Sequence, residues 1–294
     1  MKPAVFAYYD PASVDEALNL MAQFGDQARP LAGGQSLVPL MNFRLLRPAH
    51  LIDLNRIGEL SYLKAENGAL RIGATTRQRQ LERSPEVAQR WPLLREAAGF
   101  IGHIQIRNRG TVGGSLAHAF PSAELPVAMV TLDASMLLRS KSHERRVGAE
   151  EFFVSYMTTA LEATELLIDI SVPSLPLHTG WSYQEVSRRH GDFALAGAAS
   201  VISLDASGHI RHARLTLTGA TPLRAQQVEA LLLGEKPGAA LFKDAARRAT
   251  ENIEQDSDLH ASAEYRSRAC ETLARRALAQ AAQRAAALTE GISR

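Results

Sequence analysis

Between Ser13 and Phe24 the apolar positions recur at helical spacing. Val14, Leu18 and Met21 form one stripe, Ser13 with Glu16 makes a capping box, and Gly25 ends the run. The pattern then predicts a short strand at Arg29 to Leu31, a helix at Leu37 to Leu46 and a strand at Leu51 to Leu54, a small βαβ-like unit. Leu60 to Leu63 and Ala69 to Ile72 predict a hairpin around Glu66-Asn67-Gly68, because Asn-Gly suits a tight turn. Helices are predicted at Thr76 to Leu81, Pro92 to Ala98 and Ser122 to Leu132. A strand comes next at Ala134 to Leu138, then a strand-to-helix connection at Val147 to Phe153, and a buried strand from Glu165 to Val172, ended by Pro173. Strands and helices mix without a sustained parallel succession, so the class is α+β and not a Rossmann domain.

Pro173-Ser174-Leu175-Pro176 interrupts any regular ladder and is the best boundary in the chain. Beyond it, Gly180 to Val186, Ala194 to Leu204 and Ile210 to Thr218 predict three strands. Gln226 to Leu233, Ala239 to Asn252 and Ala263 to Leu288 predict helices packed on that sheet. The reading is a first domain over 1–175, in subdomains of about 1–57 and 58–175, and a second over 176–294.

Composition narrows the function. The 294 residues suffice for two domains, and 46% hydrophobic with 22% charged residues describe a globular chain. A formal charge of +2 without a basic block gives no reason to expect a nucleic-acid partner. The single cysteine, Cys270, excludes an internal disulfide and a cysteine-ligated iron–sulfur cluster within the chain, and points to reducing cytoplasm. No run approaches the ~18 apolar residues of a membrane span. No His/Glu pattern has zinc-ligand spacing, so no bound metal is expected.

Two diglycine motifs carry the candidate chemistry. Ala32-Gly33-Gly34-Gln35-Ser36-Leu37 comes after the short strand, and Arg107-Asn108-Arg109-Gly110-Thr111-Val112-Gly113-Gly114-Ser115 lies at mid-chain. Glycines let backbone N–H groups approach an anion with no Cβ in the way. Either motif alone is equally well an ordinary turn; together, with Gln35, Ser36, Thr111 and Ser115 beside them, they suggest two turns gripping one pyrophosphate.

These motifs, followed by Pro121-Ser122-Ala123-Glu124 and later by Ser187-Arg188-Arg189-His190-Gly191-Asp192-Phe193-Ala194, resemble those of the FAD-binding medium subunits of molybdenum-containing hydroxylases. That group includes the flavoprotein subunits of carbon monoxide, nicotine and caffeine dehydrogenases and the flavin domain of xanthine dehydrogenase. The resemblance spans essentially the whole chain. It implies a PCMH-type, two-subdomain FAD-binding domain and a C-terminal flavoprotein domain. Ala32 to Ser36, with Leu37, and Thr111 to Ser115 would bind the pyrophosphate and ribityl chain through N–H and hydroxyl groups. Glu124, where the family usually has aspartate, would bond a ribose or nearby polar group. Leu167 would lie beside the flavin, and Gln184 falls where xanthine dehydrogenase has a lysine near it. Ser115 replaces a common asparagine.

By the same resemblance the FAD is noncovalent, since no histidine attachment motif occurs. The molybdenum cofactor belongs to a large partner subunit and two [2Fe-2S] clusters to a small one, with electrons leaving to an external acceptor. His103 and His118 flank the central motif, either within reach of a flavin or packed on a helix. Arg188 and Arg189 with Asp192 suggest a salt-bridged turn at a domain interface, or else charges that neutralise a reduced flavin. Two rival readings stand: a stand-alone FAD oxidoreductase acting on a small substrate, and a nucleotide-binding scaffold without catalysis.

Overall fold

The computed structural model describes residues 2–251 and 253–290. In the first lobe β1 (Ala7–Tyr9), α1 (Val14–Phe24), β2 (Ala28–Leu31), α2 (Leu37–Asn42) and β3 (His50–Asp53) form a parallel three-stranded sheet in the order β1-β3-β2. Helix α1 is capped as expected: Ser13 Oγ accepts from Glu16 N, and the Glu16 carboxylate accepts from Ala12 N. Its stripe of Val14, Ala17, Leu18 and Met21 packs with Ile52, Leu54 and Leu60. Helix α2 is shorter than the apolar pattern predicts. Arg44 takes a φ of 59°, and Leu45 N bonds back to Leu40 O, so the chain turns away before Leu46.

The second lobe is built on an antiparallel sheet. Its strands are β4 (Leu63–Glu66), β5 (Ala69–Gly73), β6 (Ser135–Arg139), β7 (Glu144–Gly148) and, after the hairpin β8 (Phe153–Ser155) and β9 (Thr158–Thr159), β10 (Leu166–Pro173). The main sheet runs β4-β5-β10-β6-β7. The β4–β5 hairpin turns on Asn67 and Gly68, with φ of 50° and 75°, the positive pair that a two-residue hairpin requires. Helices α3 (Gln78–Arg83), α4 (Pro85–Arg90), α5 (Pro92–Phe100), α6 (Ile104–Arg109), α7 (Val112–His118) and α8 (Glu124–Thr131) pack with α9 (Ala149–Phe152) around Trp91, Leu93, Leu94 and Ile72. The α4 helix carries a Ser84 cap and Pro85 at its first position, a start signal that the apolar pattern alone does not show.

Beyond Pro176, β11 (Thr179–Ser187), β12 (Ala194–Leu204) and β13 (Ile210–Leu217) are the three predicted strands, and β14 (Leu223–Arg224) adds a two-residue fourth edge. Helices α10 (Gln226–Leu232), α11 (Ala239–Thr250) and α12 (Ala263–Glu290) cover one face. Asn252, at the end of one predicted helix, and residues 291–294 lie outside the described residues. The period-2 alternation of β11 divides its side chains between two cores. Trp181 and Tyr183 enter the core of the second lobe, while Ser182, Gln184 and Val186 face the helices.

One carboxylate crosses that seam. Glu96 on α5 accepts from Trp181 Nε1 at 3.0 Å, Tyr183 N at 2.9 Å and Arg284 Nη1 at 2.7 Å. The Glu96→Ala substitution strands Trp181 Nε1 and Tyr183 N and leaves Arg284 only Trp181 O, and we expect it to cost on the order of 2 kcal/mol, read as a lower urea midpoint with an unchanged spectrum of the folded chain.

Candidate functional site: two glycine turns in contact

The two diglycine motifs meet in space. A Cβ built on Gly33 would lie 2.5 Å from Arg109 O and 2.8 Å from Gly110 Cα, and one on Gly114 would lie 3.9 Å from the Ala32 Cβ. Only glycine allows this approach. Gly34 takes a φ of 72°, a conformation that L side chains rarely adopt.

The turns differ in what they leave free. Among the described residues the backbone N–H groups of Gly33, Gly34, Gln35, Ser36 and Leu37 make no hydrogen bond, so five consecutive donors are open. Gln35 Nε2 folds back onto Gly33 O at 3.0 Å and holds the turn's shape. The second motif is mostly spent internally. Gly113-Gly114 lies inside the first turn of α7, Thr111 Oγ1 accepts from Gly114 N at 3.1 Å, and Val112, Gly113 and Ser115 donate to Thr76 O, Ala74 O and Thr111 O. Its glycines serve close packing, since a Cβ on Gly113 would meet Ala74 O at 2.6 Å. The hydroxyls of Ser36 and Ser115 have no side-chain hydrogen bond among the described residues.

The remaining predicted residues divide. Leu167 is buried in β10 opposite Leu138, in the same core as Val112 and Leu116 of α7. Glu124 begins α8 and is 5% exposed; burial pushes its carboxyl up to about 7, opposed by its own backbone N–H and by Arg107. Gln184 does not reach the turns. It points to the opposite face of β11, donating to Gln280 Oε1 at 2.9 Å and Ser182 Oγ at 3.1 Å. Its neighbour Glu185 carries a buried, unpartnered Oε2, and burial followed by the charge of Glu124 raises its carboxyl to about 8. Tyr183 OH is likewise buried without a partner. Sequence reading missed Glu185, and strand alternation relative to Trp181 was the available signal.

His103 precedes α6 with its ring 6.2 Å from that of His190 and against Gly191. His118 stacks on Phe120, which packs at 4.5 Å on the exposed Phe193, and burial lowers the His118 pKa. The expected ion pair of Asp192 with Arg188 or Arg189 does not form. Asp192 N bonds Arg189 O, and Arg188 contacts His260 Nδ1. Arg107 is buried against Glu82, at 2.8 Å, and the carbonyls of Ile101 and Gly102. Away from the turns, His143, Glu162 and Glu165 bring ligand atoms within 4.8 Å, but Arg145 holds both oxygens of Glu165 at 2.7 Å.

Raised carboxyl pKa values carry a sign. Because Glu124 and Glu185 hold protons in the folded state above their ordinary value of 4.5, the stability they contribute in acid is lost progressively from about pH 4.5 upward and levels off only above about pH 8. We therefore expect the ligand-free chain to melt lower at pH 8.5 than at pH 5. Glu185→Gln should reduce that difference, with little change at the acid end, as seen by calorimetry across pH.

Comparison with known proteins decides the family. Residues 4–175 match the FAD binding domain in molybdopterin dehydrogenase, and residues 181–281 match the CO dehydrogenase flavoprotein C-terminal domain. The chain is an FAD-binding medium subunit of the molybdenum hydroxylase family. This medium subunit is 42% identical to the 6-hydroxypseudooxynicotine dehydrogenase complex subunit alpha of Paenarthrobacter nicotinovorans, over 97% of each chain. It is 40% identical to caffeine dehydrogenase subunit beta of Pseudomonas sp. strain CBB1, again over 97% of each. Its fold superposes on a chain of carbon monoxide dehydrogenase from Hydrogenophaga pseudoflava with a TM-score of 0.94 and 40% identity, covering 97% of this chain and 99% of that one. The medium subunit has no helix, among the described residues, long and apolar enough to cross a membrane.

Proposed function

We propose that this medium subunit is the electron-transfer unit of a heterotrimeric molybdenum hydroxylase, accepting electrons from the [2Fe-2S] clusters of a small subunit and passing them to an external acceptor. Substrate hydroxylation falls to a large subunit carrying the molybdenum cofactor. The observation that carries this reading is the run of five open N–H donors at Gly33 to Leu37, held against the Arg109–Gly110 backbone. Such a run suits a pyrophosphate. Bound FAD supplies the interconversion of one- and two-electron transfer.

The chain's own residues then have separate tasks. Gly33 to Leu37 hold the phosphates through N–H groups. Ser36 and Ser115 offer free hydroxyls, and Thr111 fixes the start of α7. Glu124, protonated or ionised near neutrality, donates to or accepts from a ribityl or ribose hydroxyl, and Leu167 packs the apolar side. The only cysteine is buried and its thiol is pushed up by burial, so cluster ligands must come from elsewhere. The relatives' names, a dehydrogenase complex subunit and a subunit beta, support a multi-subunit assembly. We assign the FAD-binding part to 1–175 and the C-terminal part to 176–294, in cytoplasm.

Anaerobic mixing tests the role. The flavin of the isolated subunit should stay oxidised with substrate alone and bleach only when large and small subunits are added. Bleaching by a small substrate without partners would refute the electron-transfer reading in favour of a stand-alone oxidoreductase.

A further inference from the structure

The contact between the two turns is tied from behind by side chains outside both motifs. Asn55 lies just past β3, where Asp53 Oδ1 accepts from both its N (2.9 Å) and its Nδ2 (2.5 Å), and Asp53 Oδ2 accepts from Tyr8 OH at 2.7 Å. From that anchored position Asn55 Nδ2 also donates to Ala32 O at 2.8 Å, the residue before the first diglycine. Its Oδ1 accepts from Arg77 Nη2 at 2.6 Å, and Arg77 Nη1 donates to Arg109 O at 2.5 Å. The unbroken line is therefore Ala32 carbonyl, Asn55 amide, Arg77 guanidinium, Arg109 carbonyl. It ends on the same Arg109 oxygen that a Gly33 Cβ would strike. The backbone at Arg77 also bridges Thr111.

The choice of arginine has a reason. One planar fork donates to two acceptors on two different elements, which a lysine cannot do with fixed geometry. Neither Arg77 nor Arg109 makes a salt bridge among the described residues, and Asp53 acts on Arg77 only at longer range. Burial and then the neighbouring Arg109 lower the Arg77 pKa, opposed by Asp53.

We infer that Asn55 and Arg77 are positioning residues that set the gap between the two glycine turns, so that cutting either one loosens the turn that it does not touch. The inference rests on the FAD reading for its functional consequence, but the coupling of the turns does not. Hydrogen bonds to a charged group are worth about 1.5–3 kcal/mol, which converts to about a tenfold to hundredfold weaker FAD affinity for Asn55→Ala or Arg77→Met.

The test uses the full chain stripped of flavin and titrated with FAD, monitored by flavin fluorescence. Each single variant should weaken binding by that factor, and the double variant no more than the weaker single, since both cut one line. Arg77→Lys should recover part of the loss. In parallel, amide exchange is read at Val38 and Leu40, whose N–H groups bond Gly34 O and Ser36 O. Arg77→Met should speed it although Arg77 touches neither residue. Full FAD affinity in both single variants, fully additive losses, or unchanged exchange at Val38 and Leu40 would each overturn the inference. If the wild-type chain takes up no FAD, the proposed function fails, while the exchange measurement still decides whether the turns are coupled.

Discussion

Replacing Gly33 with valine is expected to leave a chain that folds but holds no flavin. The added Cβ meets backbone, Arg109 O at 2.5 Å and Gly110 Cα at 2.8 Å, and not the end of a flexible side chain that could swing aside. Relief requires the two turns to separate, which breaks the line from Ala32 to Arg109 and tilts the five open donors out of register. Overpacking of this kind costs about 1–3 kcal/mol, within what a domain of this size tolerates, so the functional loss should exceed the stability loss. FAD affinity should fall by more than about a hundredfold, the limit at which two lost charge-assisted contacts would place it. Gly58→Ala provides the control, because a Cβ there meets nothing within 4 Å. The measurement is flavin occupancy per chain after purification, with the thermal midpoint recorded beside it. A Gly33→Val chain with full occupancy would show that the turns' contact is incidental to binding.

The second large effect concerns Arg107, which the structure uses as a strut. Its side chain is 6% exposed, and its guanidinium holds Glu82 through Nε at 2.8 Å and Nη2 at 3.2 Å while Nη1 satisfies the carbonyls of Ile101 and Gly102. Arg107→Met leaves Glu82 with Arg79 alone, at 2.7 Å, and takes the donor from the carbonyls of Ile101 and Gly102, a loss of about 3 kcal/mol. Burial raises the Glu82 pKa and Arg107 with Arg79 lowers it further than burial raises it, so the damage should be smaller in acid, where the carboxylate left with Arg79 alone takes up a proton more readily. Restoring volume without charge at both ends, as Arg107→Met with Glu82→Leu, should recover part of the stability. Chemical denaturation of the three variants at pH 5 and pH 8 checks this. Equal stability of Arg107→Met and wild type would remove the strut assignment.

How far the residues disclose this architecture depends on the range of the interaction. Local signals sufficed for α1, with its Ser13–Glu16 box, for the Asn67-Gly68 hairpin, and for β11 to β13, where the near-continuous apolar run of β12 and the Gly208 turn are written in adjacent residues. The length of α2 was not legible, because Arg44 leaves the helix through a positive φ that its side chain does not advertise. At the site the glycines were visible and their partners were not. Nothing near Gly33 in sequence indicates that Arg109 would be its neighbour, or that Asn55 and Arg77 would join them, since those contacts cross 22 to 32 positions or more of chain. The second motif gave its residue types but hid their use: Thr111 caps a helix, so the amides of Gly114 and Ser115 are consumed before any ligand arrives. Gln184 shows the cost of a shift by one residue in a strand, which exchanges the face toward the FAD-binding lobe for the face toward α12.

The most direct test of FAD binding is to purify the chain in its native complex, isolate the medium subunit, denature it and identify what it releases. One FAD per chain should come free without proteolysis, and visible flavin absorption should return when FAD is added back to refolded protein. A colourless subunit that neither releases nor takes up FAD would contradict the assignment and reduce the paired glycine turns to a packing arrangement.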